Sequence, residues 1–243
     1  MSSLISASHG MYRRVAVPLL CAFLSAPAMV NTACAQSAST KEPIFVAPVG
    51  ESAGVTAVLL TGDGGWAQLV RDVAEGLAAK GISVVGVDSR ALLSSPKTPD
   101  EATTAVMSAI NSARARWPAD RLLIVGYSRG ADMAPFVATR LPKPLAAQLA
   151  GIAMFGLANA ASFEFHLIDL VKDTKRPTDI PIQPELAKLR GVKMVCVYGE
   201  DEDESGCRDA PPDLITKDAR KGGHHFDKNA DALVAHVLEL LRR

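Results

Sequence analysis

The sequence has no excess of charge of either sign: Lys and Arg number 26, Asp and Glu 26. The basic residues gather on no stripe or patch, which argues against nucleic acid or any other polyanion as a partner. Internal repeats and low-complexity segments are also missing. Its long apolar stretch, residues 15–30, falls short of the roughly 20 residues a bilayer-spanning helix needs and contains Pro18 and Pro27. Aromatic residues make up only 5% and there are four cysteines. What remains is 243 residues that are 48% hydrophobic, enough to bury the core of one ordinary globular domain.

The first 35 residues read as an export signal rather than as fold. Arg13 and Arg14 precede the apolar stretch, and Ala33-Cys34-Ala35 after it is the small-x-small pattern that a signal peptidase cuts. Cleavage is predicted after Ala35, leaving a mature domain over residues 36–243. A lipoprotein signal fits less well, because Asn31 stands three residues before Cys34 where a leucine-like residue is expected. Removing two arginines and no acids gives the mature chain a net charge of −2. It also leaves two thiols, Cys196 and Cys207, an even pair in an oxidising compartment. A disulfide between them would close a loop of about a dozen residues, contributing roughly 3 kcal/mol by chain entropy; two buried free thiols are the alternative.

Apolar runs of strand length alternate with amphipathic stretches along the mature chain, the rhythm of a mostly parallel sheet covered by helices on both faces. Strands are predicted over 43–49, 55–61, 82–88, 122–126, 151–157, 192–198 and 213–217, and helices over 67–80, 99–117, 129–140 and 229–243. Several strands are apolar at every position, as strands buried on both faces must be. Only residues 158–190, rich in Pro and charge, break the alternation, where such an architecture often inserts a lid.

The pentapeptide Gly126-Tyr127-Ser128-Arg129-Gly130 sits where the apolar run 121–125 gives way to a helical pattern. It is a G-x-S-x-G nucleophile elbow: a strained strand-to-helix turn presents the serine hydroxyl, and flanking glycines relieve the crowding. A serine nucleophile needs a base, an acid to orient the base, and donors for the oxyanion. After the strand ending in Gly199 comes Glu200-Asp201-Glu202-Asp203-Glu204, and near the C-terminus comes Gly222-Gly223-His224-His225-Phe226. The order Ser, acid, His is that of α/β-hydrolases. His224, directly after a glycine, is the favoured base, with His225 as the rival. Glu202, three residues beyond Gly199, is the favoured acid, with Asp201 and Asp203 open. The backbone N–H of Arg129 supplies one oxyanion donor and the loop Thr61-Gly62-Asp63-Gly64-Gly65-Trp66 the other, through Gly62 or Asp63. A calcium loop opening at Asp201 is rejected, since Pro212 stands where its bidentate Glu belongs. No metal or other cofactor is required.

With these motifs the chain resembles the VirJ and AcvB family of bacterial virulence-associated exported proteins. The resemblance rests on Gly62-Asp63-Gly64-Gly65-Trp66, on Gly126-Tyr127-Ser128-Arg129-Gly130-Ala131-Asp132 with Pro135, on the Tyr198-Gly199 acidic loop ending in Cys207, and on Gly222-Gly223-His224-His225-Phe226. It implies a periplasmic α/β-hydrolase that cleaves the aminoacyl ester of lysyl-phosphatidylglycerol at the membrane surface, with a link to type IV secretion components. Arg129 departs from the apolar or aromatic residue expected after the nucleophile. A lysyl ester carries two ammonium groups, which the acidic loop and Asp132 would attract, while Arg129 would meet the lipid phosphate. Asp132 reads equally well as a first-turn acid favoured by the helix dipole. Trp66 joins Asp132 as a candidate substrate contact. Two other functions compete: an accessory secretion factor that keeps the fold without using the triad, and a general carboxylesterase of the dienelactone-hydrolase kind.

Overall fold

The computed structural model describes residues 42–170 and 174–242, so the predicted export signal and cleavage after Ala35 fall outside the described residues. The chain runs β1 (Ile44–Val46), β2 (Val55–Leu60), α1 (Gln68–Ala78), β3 (Ser83–Val87), α2 (Ser89–Leu92), α3 (Pro99–Arg116), β4 (Arg121–Tyr127), α4 (Arg129–Thr139), α5 (Lys143–Ala146) and β5 (Leu149–Phe155). The insertion follows, with β6 (Ala160–Ala161), β7 (Ile180–Pro181) and α6 (Gln183–Lys188). The chain then ends in β8 (Met194–Gly199), α7 (Gly206–Asp209), β9 (Thr216–Arg220) and α8 (Ala230–Glu239).

Seven strands form one sheet in the order β1-β3-β2-β4-β5-β8-β9, parallel throughout except for β1 against β3. Side-chain parity divides the core in two. Ala57, Leu59, Leu123, Val125, Ala153 and Phe155 pack with α1 and α8, while Val58, Leu60, Leu122, Ile124, Ile152 and Met154 pack with α3 and α4 on the opposite face. Each central strand is therefore apolar on both faces, as its sequence requires.

Local chemistry sets the helix boundaries. Thr98 and Glu101 form a reciprocal capping box, with Pro99 opening α3. Asn229 accepts from the Ala232 N–H at 3.1 Å and so caps α8 rather than joining it. Two strand predictions needed correction. Pairing in β1 covers three residues, ending before Pro48, which has no N–H to give a ladder. The last strand begins at Thr216 rather than residue 213, because Pro211 opens a turn whose carbonyl accepts from Leu214 and Ile215 at 3.1 and 3.3 Å.

The insertion is anchored rather than free-standing. Phe165 donates its N–H to Leu93 O at 2.7 Å, and Phe163 meets the Phe136 ring of α4 edge-on at 5.2 Å. Because β2, β4, β5, β8 and β9 are parallel, the loops that leave them open at one edge of the sheet.

Candidate active site

Ser128 holds φ 53° and ψ −124°, a conformation that a residue with a side chain adopts only under strain. Its surroundings enforce this. The Ser128 N–H donates to Phe155 O of β5 at 2.8 Å, and helix α4 turns back across the strand so closely that both flanking positions must be glycine. A Cβ on Gly126 would lie 2.3 Å from Gly130 O, and one on Gly130 would lie 2.1 Å from Leu60 O. The elbow expected from the pentapeptide is thus built.

Two other loops close on it. The turn after β2 is pinched by a bond from Gly65 N–H to Gly62 O at 2.9 Å, and a Cβ on Gly62 would stand 3.0 Å from Cβ of Ser128. That loop therefore lies directly against the serine. At the first position of α4, the Arg129 N–H has no acceptor within the helix.

The third loop brings His224. Its Nδ1 is hydrogen-bonded to Oε1 of Glu202, whose Oε2 accepts the Gly199 N–H at 2.8 Å. Glu202 is therefore fixed at both oxygens, which sets it apart from Asp201 and Asp203, both exposed. The imidazole rests on the backbone at Gly156, the residue after the Phe155 that holds Ser128: a Cβ there would lie 2.5 Å from Cε1 of His224. His225 turns elsewhere. Its Nδ1 pairs with the Tyr127 hydroxyl at 2.7 Å, and its side chain does not share Glu202 with His224.

Backbone strain continues past the histidines, where Phe226, Asp227 and Lys228 take φ of 49°, 49° and 59°. Three consecutive left-handed residues cost on the order of 1 kcal/mol each. Burial of the Phe226 ring, 2% exposed, helps to hold them. A cavity of about 340 Å³ opens along this turn, lined by residues 223–228.

The disulfide between Cys196 and Cys207 is present, with Cα atoms 5.5 Å apart. It joins β8 to α7 and so closes the loop that carries Glu202.

The two expected substrate contacts sit differently. Asp132 is buried, and Oδ1 accepts the Ala158 N–H at 2.7 Å, so it ties α4 to the insertion instead of facing a ligand. Burial pushes its carboxyl up to about 7, against the opposing pull of the Ala158 bond and of Arg129 and His224. Trp66 lays its indole over Gly86 of β3, where a Cβ would lie 2.2 Å from the ring. The Arg129 side chain is not available to a phosphate. It is 9% exposed and engaged by Asp63, Asp169 and the Ser162 carbonyl.

Two positions at the site escaped the sequence reading. Tyr127, the first variable residue of the pentapeptide, donates to His224 O at 3.2 Å; burial, aided by the Glu202 charge, raises its phenol to about 12, so it stays a donor. Gly156 was hidden at the end of an apolar run, where only its being glycine hinted at a close neighbour.

The profile of the bacterial virulence protein (VirJ) family matches residues 54–243. No curated protein sequence matches the chain. Among solved structures, a proline iminopeptidase from Mycobacterium smegmatis is 13% identical with a TM-score of 0.58, covering 82% of this chain and 93% of its own. MenH from S. aureus is 12% identical with a TM-score of 0.58, covering 83% and 98%. A highly thermostable carboxyl esterase from Bacillus coagulans is 10% identical with a TM-score of 0.57, covering 82% and 94%. At such identities the likeness speaks for the fold, which is that of the α/β-hydrolases.

Proposed function

The chain belongs to the VirJ family of bacterial virulence proteins, and from that premise and the geometry around Ser128 we propose that it is a serine hydrolase of carboxylic esters. The observation that carries the proposal is the His224–Glu202 pair seated on Gly156, one residue beyond the carbonyl that holds the strained Ser128.

With Nδ1 bonded to Glu202, Nε2 takes the Ser128 proton as Oγ attacks the ester carbonyl. Glu202 fixes the tautomer through its bond to Nδ1 and stabilises the imidazolium. The oxyanion is received by the Arg129 N–H and by an N–H of Gly62 or Asp63, donors worth about 10²–10³ each in kcat when well aimed. His224 then protonates the departing alcohol, and a water activated by the same imidazole releases the acid from Ser128.

For substrate we propose the aminoacyl ester of a phospholipid such as lysyl-phosphatidylglycerol, acting in the periplasm after export. The exposed carboxylates of Asp201 and Asp203, on the loop that carries Glu202, supply charge complementary to the ammonium groups of a lysyl ester. The phosphate must be met elsewhere than at Arg129. Incubation with vesicles carrying lysyl-phosphatidylglycerol, beside a short chromogenic ester, tests both levels. Release of lysine by the wild type and not by Ser128→Ala is expected. Turnover of the short ester alone would reduce the function to a general carboxylesterase, and equal turnover by Ser128→Ala would remove serine catalysis altogether.

A further inference from the structure

Four charged side chains form an alternating row beside the elbow: Asp63, Arg129, Asp169 and Arg176. Arg129 Nε and Nη2 donate to the two oxygens of Asp63 at 2.5 and 2.9 Å, while Nη2 also reaches Asp169 Oδ2 at 3.0 Å. Asp169 is clasped from its other side by Arg176 at 2.6 and 3.0 Å. Side-chain exposures of 16%, 9%, 3% and 17% put the whole row largely out of solvent. Burial would lower the Arg129 guanidinium, but the Asp63 bond and the charges of Asp63, Asp132 and Asp169 outweigh it and raise its pKa. Burial would likewise raise the Asp169 carboxyl, yet Arg176 and Arg129 hold it below its usual range.

The row joins three elements that must keep register at the site. Asp63 belongs to the glycine loop lying against Ser128, Arg129 is the residue after Ser128, and Asp169 and Arg176 belong to the insertion. We infer that Arg129 is a positioning residue whose side chain sets the oxyanion loop against the nucleophile and fastens the insertion to the same point. Its backbone N–H and its guanidinium thus serve one end: the first faces the oxyanion, and the second holds the loop that supplies the other donor. A fork of five donors suits this double grip, since a lysine ammonium cannot meet Asp63 in a bidentate way and reach Asp169 as well. This inference rests on the serine-hydrolase reading for its kinetic part and on the contacts alone for its structural part.

The test uses the mature chain with Arg129→Lys, Asp63→Asn and the double variant. Each is assayed for short-ester kcat and KM, for labelling by a fluorophosphonate, and for amide hydrogen exchange over residues 62–66 and 159–170. Arg129→Lys is expected to lower kcat and the labelling rate together by up to about 100-fold, the scale of an ångström-sized misplacement, with KM changed much less. Exchange should rise in both segments. Because Asp63→Asn breaks the same grip, the double variant should be no slower than the slower single variant. Unchanged exchange in Arg129→Lys, or losses that multiply in the double variant, would overturn the inference. Should the wild type neither hydrolyse nor label, the serine-hydrolase reading fails, while the exchange data still decide whether the row holds the two segments. Asp63→Asn keeps the test alive if Arg129→Lys does not fold.

Discussion

The Tyr127 hydroxyl donates to the carbonyl oxygen of His224 at 3.2 Å, so the residue before the nucleophile holds the backbone of the residue that serves as its base. The Tyr127 hydroxyl oxygen also pairs with Nδ1 of His225 at 2.7 Å, which gives the second histidine a role in anchoring the loop. Tyr127→Phe removes both bonds and keeps the ring. It should cost about 1 kcal/mol of stability and lower kcat by roughly tenfold through a looser imidazole. Urea unfolding and steady-state kinetics measure the two effects, and an unchanged kcat would show that the loop needs no such tie.

Gly156 has φ 69° and leaves no space for a methyl group beneath His224, whereas Gly191, with φ 95°, has nothing within 4 Å. Alanine at either position pays a left-handed backbone cost on the order of 1 kcal/mol. Only Gly156→Ala also pushes the imidazole away. It should lose about 100-fold or more in kcat, with Gly191→Ala close to wild type in the same assay. Equal activity of the two variants would mean that His224 is not confined by its seat.

The disulfide brackets the loop that carries Glu202. Replacing Cys196 and Cys207 by alanine should cost roughly 3 kcal/mol, seen as a lower melting temperature that reductant no longer affects, whereas the wild type falls to the same level in dithiothreitol. Catalysis should weaken as well, since Glu202 depends on that loop for its position.

Asp132 makes stability depend on pH. Its folded carboxyl is raised to about 7, whereas an unfolded one titrates near 4, so across that window the native state binds more protons than the unfolded state. Stability attributable to this group therefore falls as pH rises from about 4 to about 7, at most about 1.4 kcal/mol per unit. Asp132→Asn keeps an acceptor for the Ala158 N–H and should lose that slope. Unfolding free energies of the two proteins at pH 4.5, 6 and 7.5 should diverge, and parallel curves would contradict the assignment.

The parts of the fold that depend on local pattern were legible. Strands such as Val55–Leu60 and Arg121–Tyr127 announce double burial by composition, and the Thr98–Glu101 box announces where α3 begins. The elbow was equally legible, because its two glycines answer a steric demand internal to one turn. What the sequence withheld were contacts between segments far apart. Spacing from the neighbouring glycines favours Glu202 and His224 but leaves Asp201, Asp203 and His225 open. The choice is made in space, by Gly199 and Gly156. Arg129 and Asp132, both charged and near the nucleophile, suggested substrate contacts; burial against Asp63, Asp169 and Ala158 turned them to structural use. Trp66 was drawn away by the gap over Gly86.

The most direct measurement is the site of covalent capture. Treating the mature protein with a fluorophosphonate and mapping the adduct by mass spectrometry should place one phosphonyl group on Ser128. Labelling should be absent in Ser128→Ala and slowed by orders of magnitude in His224→Ala. An unmodified Ser128 in the folded wild type, or labelling at the same rate without His224, would contradict the account.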